Sequence, residues 1–242
     1  MFTDIPRLIV FDLDGTLIDS SIDLCNSVNA ALLHVGKPPL PNALITSYVG
    51  DGAAMLVRRA LGDPGDLDSL HPDTGDTLFR TTFDFFLSYY RDHKLDNTRC
   101  YDGVLDALGQ IRSMHPDLPM AVLTNKPVNP SREICSALEL APFFFQNYGG
   151  NSFENKKPDP TGLLKLIEEA SSLLVGRLSN VPPLTPREVV MIGDSDVDVL
   201  TARRCGVRSI GCTFGLAPVA LAASKPDATV DHPLEWLAAL CC

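Results

Sequence analysis

The stretch IVFDLDGTLIDS (residues 9–20) is an apolar, strand-like run that ends in acids, turns at Gly15 and passes directly into a helical pattern. Asp12 and Asp14 stand where the run meets the turn. Carboxylates repel one another and resist burial, so this placement calls for a compensating cation or a chemical use. Behind Ser20 or Ser21 as a cap, Ile22, Cys25, Val28, Leu32 and Val35 recur at helical spacing and stop at Gly36. KPPLP then breaks the chain. A second helix is expected from Asp51 to Leu61 and a third through TLFRTTFDFFLSYYRDH, so residues 16–92 read as an all-helical block without a strand signal.

From Tyr101 the pattern changes. Helical DGVLDALGQIRSM precedes strand-like MAVLTN, and helical PSREICSALEL precedes FFFQNYGG. PTGLLKLIEEASSLL precedes EVVMIGD, and DVDVLTARRCG leads to VRSIGCTFG. Such alternation predicts a doubly wound parallel sheet with helices on both faces. The expected architecture is an α/β core of residues 1–15 and 93–242, with an all-helical cap domain of residues 16–92 inserted after the first strand. Residues 176–186, GRLSNVPPLTP, read as a Pro-rich surface loop.

Hydrophobic residues make up 45 % of the 242 and charged residues 21 %, a composition that suits a folded globular chain. The formal net charge of −10 argues against a nucleic-acid or acidic-membrane partner, which would call for a basic face. A small anionic ligand remains compatible if a metal or local positive charge offsets the general field. MFTDIPRLIV lacks the basic flank and apolar stretch of a secretory signal, and no segment has the length of a membrane span. Seven cysteines (25, 100, 135, 205, 212, 241 and 242) show no CxxC spacing, as expected of free thiols in a reducing cytoplasm. The chain is therefore expected to be soluble and cytoplasmic, a monomer or homodimer.

In an open parallel sheet, ligands bind beyond the carboxyl ends of the strands. Three apolar runs here reach that edge with polar groups: Phe11 leads to Asp12, Leu123 to Thr124 and Asn125, and Gly193 to Asp194. Lys157 lies in the turn before a later helix. Phosphoryl transfer to a carboxylate needs such a set. It requires a nucleophile, a second acid to serve the leaving alcohol, oxygen ligands for a hard divalent cation, and donors for the equatorial phosphate oxygens. Two aspartates at spacing two on an extended segment point to the same side, so one can attack while the other reaches the leaving oxygen.

The four segments DLDGTL, VLTN, KKPDP and GDSDVD resemble, in order and over nearly the whole chain, the motifs of the haloacid dehalogenase (HAD) superfamily. Within it, YVGDGAAMLVRRALG is similar to the helical cap of phosphoglycolate phosphatases, as YDGVLDAL and GVRSIGCTFG are to their core. The resemblance implies a Rossmann-like core and a Mg²⁺-dependent hydrolase of a small phosphate monoester, most simply 2-phosphoglycolate. In this picture Asp12 is the nucleophile that forms an aspartyl-phosphate, and Asp14 is the general acid/base whose backbone carbonyl also meets the metal. Asp12, Asp14 and Asp194 hold Mg²⁺, while Thr124, Asn125 and Lys157 hold phosphate. Asp198 acts from farther out, orienting a metal water or Lys157. Asp102, Asp159 and Cys205 depart from the residues usual in the family, away from this set.

The family leaves alternatives open. A phosphosugar mutase resembling β-phosphoglucomutase, or a phosphatase of another small phosphoester or of pyrophosphate, would use the same aspartates. A carbon–halide hydrolase would need neither Asp14 nor the Asp194 motif, and a non-enzymatic relative would be expected to have lost a catalytic group. Taken alone, Thr124 and Asn125 would cap the following helix, Asp198 would complement a helix N-terminus, and Lys156 would be a solvated charge. Asp19 and Asp23 would start the first inserted helix. Arg58 and Arg59 fit an exposed helix face, and Phe79, Phe83, Phe86 and Tyr90 fit packing at helical spacing. Gly50 and Gly52, flanking Asp51, suit either a substrate turn or a helix cap. The five histidines, His34, His71, His93, His115 and His232, show no metal spacing.

Overall fold

The computed structural model describes residues 6–62, 77–177 and 182–241. They divide into two compact units, one of residues 1–19 with 100–242 and one of residues 20–99.

The first unit is built on a six-stranded sheet. Its strands are β1 (Leu8–Phe11), β4 (Met120–Leu123), β5 (Gln146–Tyr148), β6 (Val189–Gly193), β7 (Arg208–Cys212) and β8 (Ala228–Val230), in the spatial order β5-β4-β1-β6-β7-β8. Every neighbouring pair is parallel; Phe11 is in register with Val122 on one side and Ile192 on the other. A strand buried on both faces must be apolar at every position, and the burial of β1, β4 and β6 is unbroken. Alternate residues then feed opposite layers. Ile9, Phe11, Met120, Val122, Val190 and Ile192 pack with residues of α5 (Val104–Met114), α6 (Val128–Ala137) and α10 (Trp236–Cys241). Leu8, Val10, Ala121, Leu123, Val189 and Met191 pack with α7 (Thr161–Arg177) and α8 (Asp196–Cys205). The alternation of sheet and helix read from the sequence thus holds, and the last strand and α9 (Pro218–Ser224) extend it beyond the segments read there.

The helical unit contains α1 (Ser21–His34), α2 (Asn42–Thr46), α3 (Ala53–Ala60) and α4 (Thr77–His93). Leu24, Val28, Leu32, Ile45, Leu56, Phe79, Phe86 and Tyr90 form its core, with Phe83 half-buried against it. The aromatics of α4 are therefore packing residues. Asp23 lies in the first turn of α1, but it is buried and does more than favour the helix start. Its carboxylate accepts hydrogen bonds from the backbone N–H of Asn97 and Thr98, from Asn97 Nδ2 and from Thr98 Oγ1, at 2.7–3.0 Å. Burial pushes its pKa up, yet these donors outweigh that and hold it below the usual carboxylate range.

Several local expectations are corrected. A two-residue strand β2 (Ile18–Asp19) falls within the block read as wholly helical and pairs with β3 (Arg99–Cys100). Periodicity could not show it, because two residues carry no period. Asp19 belongs to that strand, not to a helix start. Arg58 is buried with its guanidinium over the Phe79 ring, and the half-buried Arg59 donates to Tyr48 O and pairs with Asp51. Neither stands on an exposed face. Gly52 is the N-cap of α3, with φ +83°. Residues 176–177 of the stretch read as a loop continue α7, Leu184 is buried, and residues 178–181 lie outside the described residues, as does His71. Cys25, Cys100, Cys135, Cys205 and Cys212 are free thiols. Among the described residues no helix is long and apolar enough to cross a membrane.

Candidate active site

The strand order places β1 between β4, which follows it, and β6, which comes later and lies on its other side. The connections diverge at this point, leaving a crevice at the carboxyl ends of β1 and its neighbours. Asp12 continues β1, and its N–H donates to Ile192 O at 2.8 Å. Thr124 continues β4, its N–H donating to Tyr148 O at 3.0 Å. Asp194 continues β6. Parallel register alone therefore brings residues from distant parts of the chain to one edge.

Lys157 organises the centre. Its Nζ lies 2.8 Å from Asp12 Oδ1 and 2.6 Å from Asp198 Oδ1, with all three side chains buried. Asn125 Nδ2 donates to Lys157 O at 3.0 Å and so fixes the segment that carries the lysine. The other oxygen of Asp198 accepts from Ser195 N at 3.1 Å and Ser195 Oγ at 2.7 Å, closing a capping box at the start of α8. Asp198 thus has both parts considered for it, helix capping and contact with Lys157. Asp194 Oδ2 accepts from Leu216 N at 2.7 Å, in the loop after β7. That loop and the β1 turn close around it. Gly15, with φ +85°, and Gly215 lie so near Asp194 that a Cβ on either would strike its carboxylate.

One oxygen from each of Asp12, Asp194 and Asp198 lies within 4.8 Å of the others. Three buried carboxylates lie together with one ammonium that reaches two of them, and the crowding raises the pKa of Asp12 and Asp194. Burial, with Asp198 nearby, pushes Asp12 up to about 6 against the pull of Lys157. Burial and the neighbouring carboxylates raise Asp194 well above the ordinary range. Lys157 is held above its usual value, because Asp12 and Asp198 outweigh the effect of its burial. An all-oxygen anionic donor set with uncompensated charge fits a hard divalent cation.

Asp14 takes a different place. Its carboxylate is outside that cluster and is held by a residue the sequence reading passed over, Lys126, whose Nζ donates to Oδ1 at 2.8 Å and Oδ2 at 3.0 Å. The signal available was position: Lys126 directly follows Thr124 and Asn125 at the end of β4. Thr124 Oγ1 accepts from Lys126 N at 3.2 Å, and the N-cap of α6 is Pro127, so Thr124 and Asn125 are not its cap. Lys156 is half-buried, unlike the solvated charge expected.

A parallel sheet that gathers buried aspartates and a lysine at its carboxyl edge defines a hydrolase of the HAD type. The family model of haloacid dehalogenase-like hydrolases matches residues 9–212, and the chain belongs to that family. It is 36 % identical over 229 residues to a phosphoglycolate phosphatase of Chromobacterium violaceum, covering 95 % of this chain and 94 % of the relative. A phosphoglycolate phosphatase of Pseudomonas putida is 37 % identical over 212 residues, 87 % of this chain and 71 % of that one. Among solved structures, a predicted phosphoglycolate phosphatase from Haemophilus somnus superposes with a TM-score of 0.80 at 29 % identity, covering 96 % of this chain and 97 % of the other.

Proposed function

We propose that this chain is a Mg²⁺-dependent phosphatase of small phosphate monoesters, with 2-phosphoglycolate as its preferred substrate, working through an aspartyl-phosphate on Asp12. The observation that carries the reading is the convergence of Asp12, Asp194 and Asp198 on one another around Lys157. The choice of phosphoglycolate draws on the relatives that bear that name.

In this mechanism Asp12, Asp194 and the Asp14 backbone carbonyl would hold Mg²⁺, with Asp198 beside them, and the bound ion would supply charge that offsets the carboxylates and the phosphate. An Asp12 oxygen attacks phosphorus in line, and the bond to the ester oxygen breaks. Asp14 gives its proton to that oxygen as the alcohol departs, then takes a proton from the water that hydrolyses the aspartyl-phosphate. Thr124, Asn125 and Lys157 hold the equatorial oxygens, where preorganised donors act more strongly than in water. Lys157 also keeps Asp12 available: its ammonium opposes the burial that would leave the nucleophile protonated. We assign the helical unit of residues 20–99 the part of a cap that limits substrate size.

The test is phosphate release from a panel of small phosphoesters by the purified chain, with Mg²⁺ and with chelator. We expect the highest kcat/KM on 2-phosphoglycolate and no turnover with chelator. Release without an activating bisphosphate separates hydrolase from mutase. A flat profile would remove the substrate assignment, and release that persists in chelator would remove the metal-dependent mechanism.

A further inference from the structure

We propose that Lys126 is a positioning residue for Asp14, holding its carboxyl group at the place from which it serves the leaving oxygen. The inference rests on the phosphatase reading above and adds a residue to it.

Lys126 Nζ meets Asp14 Oδ1 and Oδ2 at 2.8 and 3.0 Å, so one ammonium anchors the carboxyl group as a whole and holds it in place. The lysine is itself in an unusual state. Lysine normally keeps its ammonium in water, yet this side chain is only 3 % exposed. Its backbone is pinned at both ends: Lys126 N donates to Thr124 Oγ1, and Lys126 O accepts from Gly150 N at 2.8 Å. Gly149 packs so closely on Lys126 O and Val128 N that a side chain there would have no room. The loop that carries the phosphate donors Thr124 and Asn125 therefore also fixes the root of Lys126. Phosphate position and the proton donor become parts of one rigid piece.

In the chemical step the Asp12–phosphorus bond forms as the phosphorus–ester oxygen bond breaks. The electron pair stays on the departing oxygen, which takes the proton of the Asp14 carboxyl group. Lys126 touches neither phosphorus nor the departing group. Its contribution is to the geometry of Asp14, so its loss should matter in proportion to the need for that proton.

The test compares two substrates by kcat/KM, which reports the first phosphoryl transfer. An alkyl phosphate leaves as a basic alkoxide and needs the proton; p-nitrophenyl phosphate leaves as a stable phenolate and does not. Lys126→Met should lower kcat/KM on the alkyl substrate by about 100-fold and on the aryl substrate by less than about 10-fold, within the range of a general acid's worth. Lys126→Arg, which keeps the charge, should recover at least about a tenth of the loss on the alkyl substrate. Adding Lys126→Met to Asp14→Asn should cost little beyond Asp14→Asn alone, because the two act as a unit. Equal losses on both substrates, or losses that multiply in the double variant, would overturn the assignment. Lys126→Gln repeats the comparison should the Met variant not fold. Wild-type protein that releases phosphate from neither substrate would instead refute the phosphatase reading, a result obtained before any variant is compared.

Discussion

Lys157 Nζ lies 2.6 Å from Asp198 Oδ1, joining residues 41 apart in the chain inside a site from which solvent is largely excluded. The same ammonium reaches Asp12, so one cation stabilises two buried carboxylates. Taking it away leaves both without their counter-charge. In chelator, Lys157→Met should lower unfolding free energy by about 3–5 kcal/mol, the cost of breaking a buried ion pair from one side. With Mg²⁺ present, turnover should fall by about 10²–10³, as for loss of one preorganised electrostatic contact. Denaturant melts and phosphate release measure the two effects separately; a variant as active as the wild type would remove Lys157 from the chemistry.

Asp12→Asn should reduce phosphate release to background while the protein folds, since the amide is close in shape to the carboxylate and takes charge out of a crowded cluster. Circular dichroism checks the fold and a phosphate assay the rate. Appreciable turnover in this variant would exclude an intermediate on Asp12.

The raised pKa values of Asp12 and Asp194 make metal binding and stability depend on pH together. Between the ordinary 3.8 and about 6, folded protein keeps a proton on Asp12 that the unfolded chain has released. Stability rises with pH where the unfolded state binds more protons; here the folded state does, so the contribution falls as pH rises through that window. In chelator, the wild-type Tm should therefore decline more steeply than that of Asp12→Asn between about pH 4 and 6. Cations compete with these protons, so the gain in Tm on adding Mg²⁺ should be larger near pH 7.5 than near pH 5. Equal gains at both values would show that these carboxylates do not hold the ion.

Gly15 lies against Asp194 in a left-handed conformation, and a Cβ there would push the carboxylate from its place. Gly15→Ala should weaken divalent-metal affinity at least about 10-fold, the scale seen when groups that orient a ligand are altered. Calorimetric titration of the metal-free variant checks this. Unchanged affinity would mean that Asp194 does not depend on this packing.

In the helical unit, Asp23 gathers the N–H groups of Asn97 and Thr98. Asp23→Ala leaves those donors without their partner and should cost on the order of 2–3 kcal/mol, as for hydrogen bonds to a charged group. A chemical-denaturation midpoint unchanged from wild type would refute this.

Most of the fold was legible because its signals are periodic. Short apolar runs such as LIVF and VVMIG, ended by turn residues, read as strands buried on both faces, and the helices between them carry their own repeat. What escaped had no period or too little chain: the two-residue strand at Ile18–Asp19, the five-residue helix α2, and the burial of Arg58, whose charged head the sequence assigns to solvent. The candidate site was legible as a set of positions at strand ends. Its internal arrangement was not.

By itself, the sequence determined an α/β sheet with a helical insertion and the residue types gathered at one sheet edge, since these follow from local pattern and chain order. Only the tertiary structure decided which carboxylate faces which cation: Asp12 and Asp198 on Lys157, and Asp14 on Lys126. Those pairings depend on strand register, on loops held by single hydrogen bonds and on glycines that admit a neighbour. A buried charge finds its partner through space, and residues as far apart as 14 and 126 carry no mark in the sequence of how close they come.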